Sequence, residues 1–106
     1  MTTRLEQLLS FLEKEPHDPF TLYAIALEYM NIKSMQACIY FEKLLSEHES
    51  YIPTYYHAAH FYTAINELEK ANAIYAKGIA IATKINDRHA LRELKNAYTL
   101  FLENED

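Results

Sequence analysis

A single glycine and three prolines stand in this chain of 106 residues, and neither Asn-Gly nor Asp-Gly occurs. A sheet protein of this length needs more turn residues than that, so an all-α chain is expected. Cys38 is the only cysteine, which excludes an internal disulfide and a cysteine cluster for zinc. Its largely apolar neighbours, Ala37, Ile39, Tyr40 and Phe41, suggest a small buried thiol rather than a nucleophile. No long apolar run is present, so a signal-peptide core and a membrane span are both unexpected, and a cytoplasmic location is inferred. Positive charge is also short: 10 Lys and Arg against 15 Asp and Glu give a net charge of -5. The cations are scattered, and no basic stripe is available for a phosphate backbone, which argues against a nucleic-acid partner. There is no glycine-rich phosphate loop, nucleophile elbow or Cys–His arrangement, so neither catalysis nor a cofactor is expected.

What is present is helical periodicity. Half of the residues are hydrophobic, enough for one folded domain covering residues 1–106. Thr3 and Glu6 fit a capping box ahead of Leu5, Leu8, Leu9 and Leu12. Pro16 and Pro19 interrupt the pattern, and Pro19 suits the first turn of a second helix carrying Leu22, Ile25, Ala26 and Tyr29. Asn31 to Ser34 is a break, with Ser34 a fair N-cap. A third helix follows with Ala37, Phe41, Leu44 and Leu45. Pro53 opens a fourth with Tyr55, Ala58, Ala59 and Tyr62. The fifth carries Ala71, Tyr75, Gly78, Ile79 and Ala82. Asp87 is the expected N-cap of a sixth, with Leu91, Leu94, Tyr98 and Phe101. Six helices with short loops make an antiparallel helical array. The acidic end, Glu103 to Asp106, is expected to be a solvated terminus.

The chain also matches itself. Leu22 falls on Tyr55 and Tyr29 on Tyr62, an offset of 33, whereas Ala37 falls on Ala71 and Phe41 on Tyr75, an offset of 34. The one-residue difference lies at the turn near Lys33. A repeated helix–turn–helix unit accounts for this. The second unit, with Tyr55, Ala58-Ala59, Tyr62, Ala71 and Tyr75, resembles the tetratricopeptide repeat. The first reads Leu22, Ile25-Ala26, Tyr29, Ala37 and Phe41, and Leu8 and Pro16 match the end of a preceding half unit. Neither unit carries the Trp or the Gly of the strongest consensus. The resemblance implies a right-handed α-solenoid with a half repeat over 4–18, repeats over 19–52 and 53–85, and a C-terminal capping helix over 87–103. Small residues at Ala26, Ala37, Ala59 and Ala71 let helices approach closely. Gly78, in mid-helix, should relieve crowding against a neighbouring helix.

A repeat helix needs one buried stripe. Phe20, Tyr23, Leu27 and Met30 form a second one, centred about 120° from the first. On the fourth helix the equivalent positions are Pro53, Tyr56, His60 and Thr63, with His57 at the edge. The resemblance makes this the face lining a concave groove. Phe20, Tyr23, Leu27, Met30, Tyr56, His57 and His60 are therefore the candidate partner-binding residues. Aromatic and Met side chains suit a protein or peptide partner. A homo-oligomer burying the same face is the alternative. The family's clamp for acidic tails needs Lys, Asn and Arg, but Tyr23, Leu27 and His57 stand at the matching positions. A metal-binding helical domain using His57 and His60 is a further alternative, but neither has an acidic residue or Cys within one turn to complete a ligand set. His17, His48 and His89, at turns or helix starts, are read as solvated.

Overall fold

The computed structural model describes residues 3–104. Within them lie six α-helices: α1 (Arg4–Lys14), α2 (Pro19–Asn31), α3 (Ala37–Glu47), α4 (Pro53–Ala64), α5 (Leu68–Lys84) and α6 (Arg88–Glu103). Of the expected acidic terminus, Glu105 and Asp106 lie outside the described residues, while Glu103 and Asn104 are exposed. The helices fall into two compact units, one ending at Tyr51 and the other beginning at Ile52.

In the first unit, α1 opens with the anticipated capping box. The Glu6 amide donates to Thr3 Oγ1 at 3.1 Å, and the Thr3 amide donates back to Glu6 Oε1 at 3.3 Å. Pro19 occupies the first turn of α2, behind Asp18 as N-cap. Asp18 Oδ2 accepts from the Thr21 amide at 2.9 Å and from the Thr21 hydroxyl at 2.6 Å. These two bonds, the hydroxyl first and the amide second, hold the Asp18 carboxyl below its ordinary range. Leu8 of α1 packs with Ala24 and Ile25 of α2, and Leu5, Leu9 and Leu12 lie half-buried around them. Leu22, Ile25 and Ala26 of α2, and Ala37, Phe41 and Leu44 of α3, have no exposed surface. Two alanines in that set allow the helix pair to approach closely. Burying Phe41 contributes roughly 1.5–3 kcal/mol by transfer alone. Cys38 is only half-buried, unlike the fully buried thiol expected. Its neighbour Ala37 takes the fully interior position.

The second unit repeats the plan. Tyr55, Ala58, Ala59 and Tyr62 of α4 are buried, as are Ala71, Ile74, Tyr75, Gly78 and Ala82 of α5. Asp87 caps α6, its Oδ1 accepting from the Ala90 amide at 3.0 Å. Ala90, Leu94, Ala97 and Phe101 form the buried face of α6, which packs on both α5 and α4. Gly78 sits at the tightest point. A Cβ placed there would lie 2.7 Å from Tyr55 Cβ, 2.9 Å from Tyr55 Cγ and 3.2 Å from Leu94 Cδ1. The bare backbone of α5 thus lets α4 and α6 close on it from two sides.

Three helices end by one device, and none uses glycine. Lys33, Asn66 and Asn86 adopt φ of 57°, 65° and 59° after α2, α4 and α5. The following amides of Ser34, Glu67 and Asp87 reach back to the carbonyls of Tyr29, Tyr62 and Ala82 at 2.8–2.9 Å. This is the Schellman closure, which satisfies carbonyls the helix leaves open.

The one-residue difference between repeats is absorbed just after the first of these turns. Ala37, Cys38 and Ile39 donate to Ser34, Met35 and Gln36, a run of i→i−3 bonds, whereas Ala71 donates to Glu67 in the α pattern. A 3₁₀ residue rises about 2.0 Å against about 1.5 Å in an α-helix, so three of the former advance as far as four of the latter. Ser34 caps this tightened turn through its Oγ, which accepts from the Gln36 amide at 3.1 Å.

Candidate functional site

The outward face of α4 is built by the same periodicity that buries Tyr55, Ala58, Ala59 and Tyr62. Those four take the inner side, which leaves Tyr56, His57, His60 and Thr63 on the other. Tyr56 meets His57 edge-on and His60 at a tilt, with ring centroids at 5.3 Å and 4.6 Å. His60 continues edge-on to Tyr75 of α5 at 6.4 Å. Tyr75 in turn lies 5.4 Å from Phe101 and 5.5 Å from Tyr98, both on α6. Tyr98 is held by its hydroxyl, which donates to Asn72 Oδ1 at 2.7 Å. A continuous set of rings therefore ties three helices together within the second unit.

Above these rings a cavity of about 510 Å³ opens between α4 and α6. Tyr56, His60 and Thr63 supply its α4 wall, and Tyr75 and Phe101 lie at its base. The opposite wall is α6, through Glu93, Asn96 and Leu100, with Asn104 just past its end. Leu100, at the rim, keeps 60% of its surface exposed. A volume of this size is within the range of ligand-sized clefts.

Burial sets the electrostatics. Desolvation lowers the pKa of His57, with the nearby His60 acting in the same direction and Glu93 opposing it. Desolvation also lowers that of His60. Both imidazoles favour their neutral form at pH 7. The Tyr75 hydroxyl moves the other way, raised by burial and then by Tyr56. Glu93 meets the exposed His89 one turn earlier, Oε1 to Nε2 at 3.4 Å.

Of the residues expected at the site, Tyr56 and His60 line this cavity. His57 stands beside it, against the edge of Tyr56. Phe20, Tyr23, Leu27 and Met30 belong to the first unit, where Phe20 is 61% exposed and the other three are half-buried. Tyr23 packs edge-on against Tyr51 at 5.7 Å. Among the described residues no group of three or more His, Cys, Asp or Glu gathers to hold a metal ion, so the His57–His60 pair finds no completing ligands there. His17 is solvated and 3.4 Å from Glu47. His48 departs from its expected solvated state, because its Nε2 is buried and has no hydrogen-bond partner among the described residues.

The α6 wall was not anticipated. Its signal is in the sequence: Glu93, Asn96, Leu100 and Asn104 recur at three- and four-residue steps, a second face parallel to the buried one. Three of the four are polar, so an apolar stripe does not reveal them.

The architecture has solved counterparts. The chain is similar to a tetratricopeptide repeat domain protein from Salinibacter ruber whose solution NMR structure superposes with a TM-score of 0.79 at 33% identity, over 85% of this chain and 92% of that one. This chain belongs to the tetratricopeptide repeat family. A crystal structure of a tetratricopeptide repeat domain protein from the same organism agrees, with a TM-score of 0.78 at 32% identity over 83% of this chain and 99% of the other. No family model and no curated protein sequence matches the chain. Tetratricopeptide repeats are helical scaffolds for protein–protein interaction, and an all-α repeat module is what the six helices form. No helix among the described residues is long and apolar enough to cross a membrane.

Proposed function

We propose that this tetratricopeptide domain is a non-catalytic interaction module that holds a peptide, helix or loop of a partner protein on the outward faces of α2 and α4. The observation that carries this reading is the open cavity between α4 and α6, with rings at its base and an exposed Leu100 at its rim. Aromatic rings are among the groups that dominate interface energies, and contiguous exposed apolar surface marks interaction sites. In the first unit, taken by itself, Phe20, Tyr23, Leu27 and Met30 on α2 are the proposed contact residues, and in the second His57 stands beside the cavity.

The test is capture of partners from the native host by the wild type and by a Tyr23→Ala/Tyr56→Ala variant. Loss of capture with helicity intact supports the reading, and unchanged capture sinks it. A second reading is favoured by the exposed Leu100 and Leu102 in one unit and Ile32, Met35 and Ile39 in the other: the chain buries apolar surface against its own copies. Mass measurement in solution over a concentration series separates the two. A stable dimer that dissociates in a Leu100→Glu variant supports self-association through this face.

A further inference from the structure

We propose that the cavity between α4 and α6 receives an arginine side chain of the partner segment. This rests on the reading that the domain binds a peptide or protein at this face, and it names the chemistry of what enters. The argument begins with charge. Glu93 is an acidic group on the cavity wall, and no Lys or Arg lines it. An acidic or C-terminal carboxylate ligand would meet repulsion and no cation. A purely apolar side chain beside Glu93 would leave its carboxylate and the Asn96 amide desolvated without partners, which is costly. A cationic side chain relieves both problems.

The rings and the acceptors then favour arginine over lysine. A guanidinium is planar and stacks on aromatic faces, and the half-buried Tyr56 offers a ring on the α4 wall of the cavity. Its five N–H donors need several acceptors in different directions. The Glu93 carboxylate and, about one turn further along α6, the side-chain carbonyl of Asn96 supply them. The contact of Glu93 with His89 engages Oε1, but a carboxylate has about four lone-pair sites and can accept from a guanidinium as well. A lysine ammonium, a compact point charge with three donors, would use less of this wall.

The experiment is selection of a random heptapeptide display library on the full-length protein, followed by affinity measurement of synthetic copies of the recovered peptides. Recovered peptides should share an arginine. Its replacement by citrulline, which keeps the shape but removes the charge, should weaken binding tenfold or more. Glu93→Gln should weaken the arginine peptide by a similar factor yet scarcely affect the citrulline peptide, so that the two changes are coupled. Tyr56→Ala should weaken both peptides. Circular dichroism checks that each variant keeps its helicity; Glu93 is exposed, so its amide form is compatible with the fold. Peptides that depend on Tyr56 but are indifferent to citrulline and to Glu93→Gln, or that select lysine instead, overturn the arginine assignment and leave the binding face standing. Peptides indifferent to Tyr56→Ala, or a selection that recovers none, overturn both.

Discussion

At Gly78, two rules of thumb point in opposite directions and the distances decide between them. Alanine is the better helix former by about 1 kcal/mol. Yet the added methyl would lie 2.7 Å and 2.9 Å from Cβ and Cγ of Tyr55; Cβ moves only with the α4 backbone, and Cγ only if the fully buried ring leaves its packed rotamer. Helix displacement or an off-rotamer Tyr55 costs about 1–3 kcal/mol, so Gly78→Ala should lower the melting temperature. A thermal melt showing a rise would refute the packing argument. Lys33 presents the reverse case. It holds φ of 57° at the end of α2, a conformation that costs an ordinary L-residue roughly 1–2 kcal/mol, and the equivalent positions after α4 and α5 carry asparagine. Lys33→Asn should therefore stabilise by about 0.5–1 kcal/mol, read as a rise of about 2–5 °C in Tm. The turn at Lys33 was legible in the sequence but its strain was not, because lysine gives no sign of the left-handed region that Asn66 and Asn86 suggest.

Single elements show most clearly what pattern alone can reveal. The inner faces of α2 and α4 were legible because small and large apolar residues recur with helical spacing and repeat at offsets of 33 and 34. The tightened start of α3 was not, since three bonds of i→i−3 type leave no compositional mark. The role of α6 was half legible: Leu94 and Phe101 identified its buried face, while the polar run through Glu93, Asn96 and Asn104 looked like ordinary solvated surface. The outward face of α4 carries a prediction of its own. His57 and His60 both have lowered pKa values through desolvation, so the folded protein binds fewer protons than the unfolded chain. For a histidine so shifted, stability is full above the ordinary value of about 6.5, falls as pH drops through it, and levels off below the folded value. Glu93 facing from α6 reduces the effect at His57, while burial raises the Tyr75 hydroxyl on α5 away from this range. Asp18 acts in a separate window: its lowered pKa stabilises above the carboxylate range and is lost only in more acidic solution. The melting temperature should thus decline from pH 7.5 to pH 5, and a His57→Gln/His60→Gln variant should show a flatter slope. Equal slopes would mean that these imidazoles are as well solvated folded as unfolded.

At the scale of the whole chain, charge separates how a partner arrives from how it is held. The net charge of -5 belongs to no one contact, and its field reaches about a Debye length: roughly 30 Å at 0.01 M salt and 10 Å at 0.1 M. A partner segment carrying arginine is attracted by that field before it touches the cavity, which raises the association rate. Glu93 contributes one unit of this charge, but it also stands in the cavity wall, where a desolvated ion pair mainly governs dissociation. The two effects can be measured separately with one arginine peptide in a surface-binding or stopped-flow experiment. Raising NaCl from 25 to 300 mM should slow association several-fold with little change in dissociation. Glu93→Gln should do the opposite, accelerating dissociation while leaving the salt dependence of association nearly as steep. An association rate indifferent to salt would show that the acidic balance of the chain plays no part in recognition. A variant that changed association alone would place Glu93 among the steering charges and outside the contact.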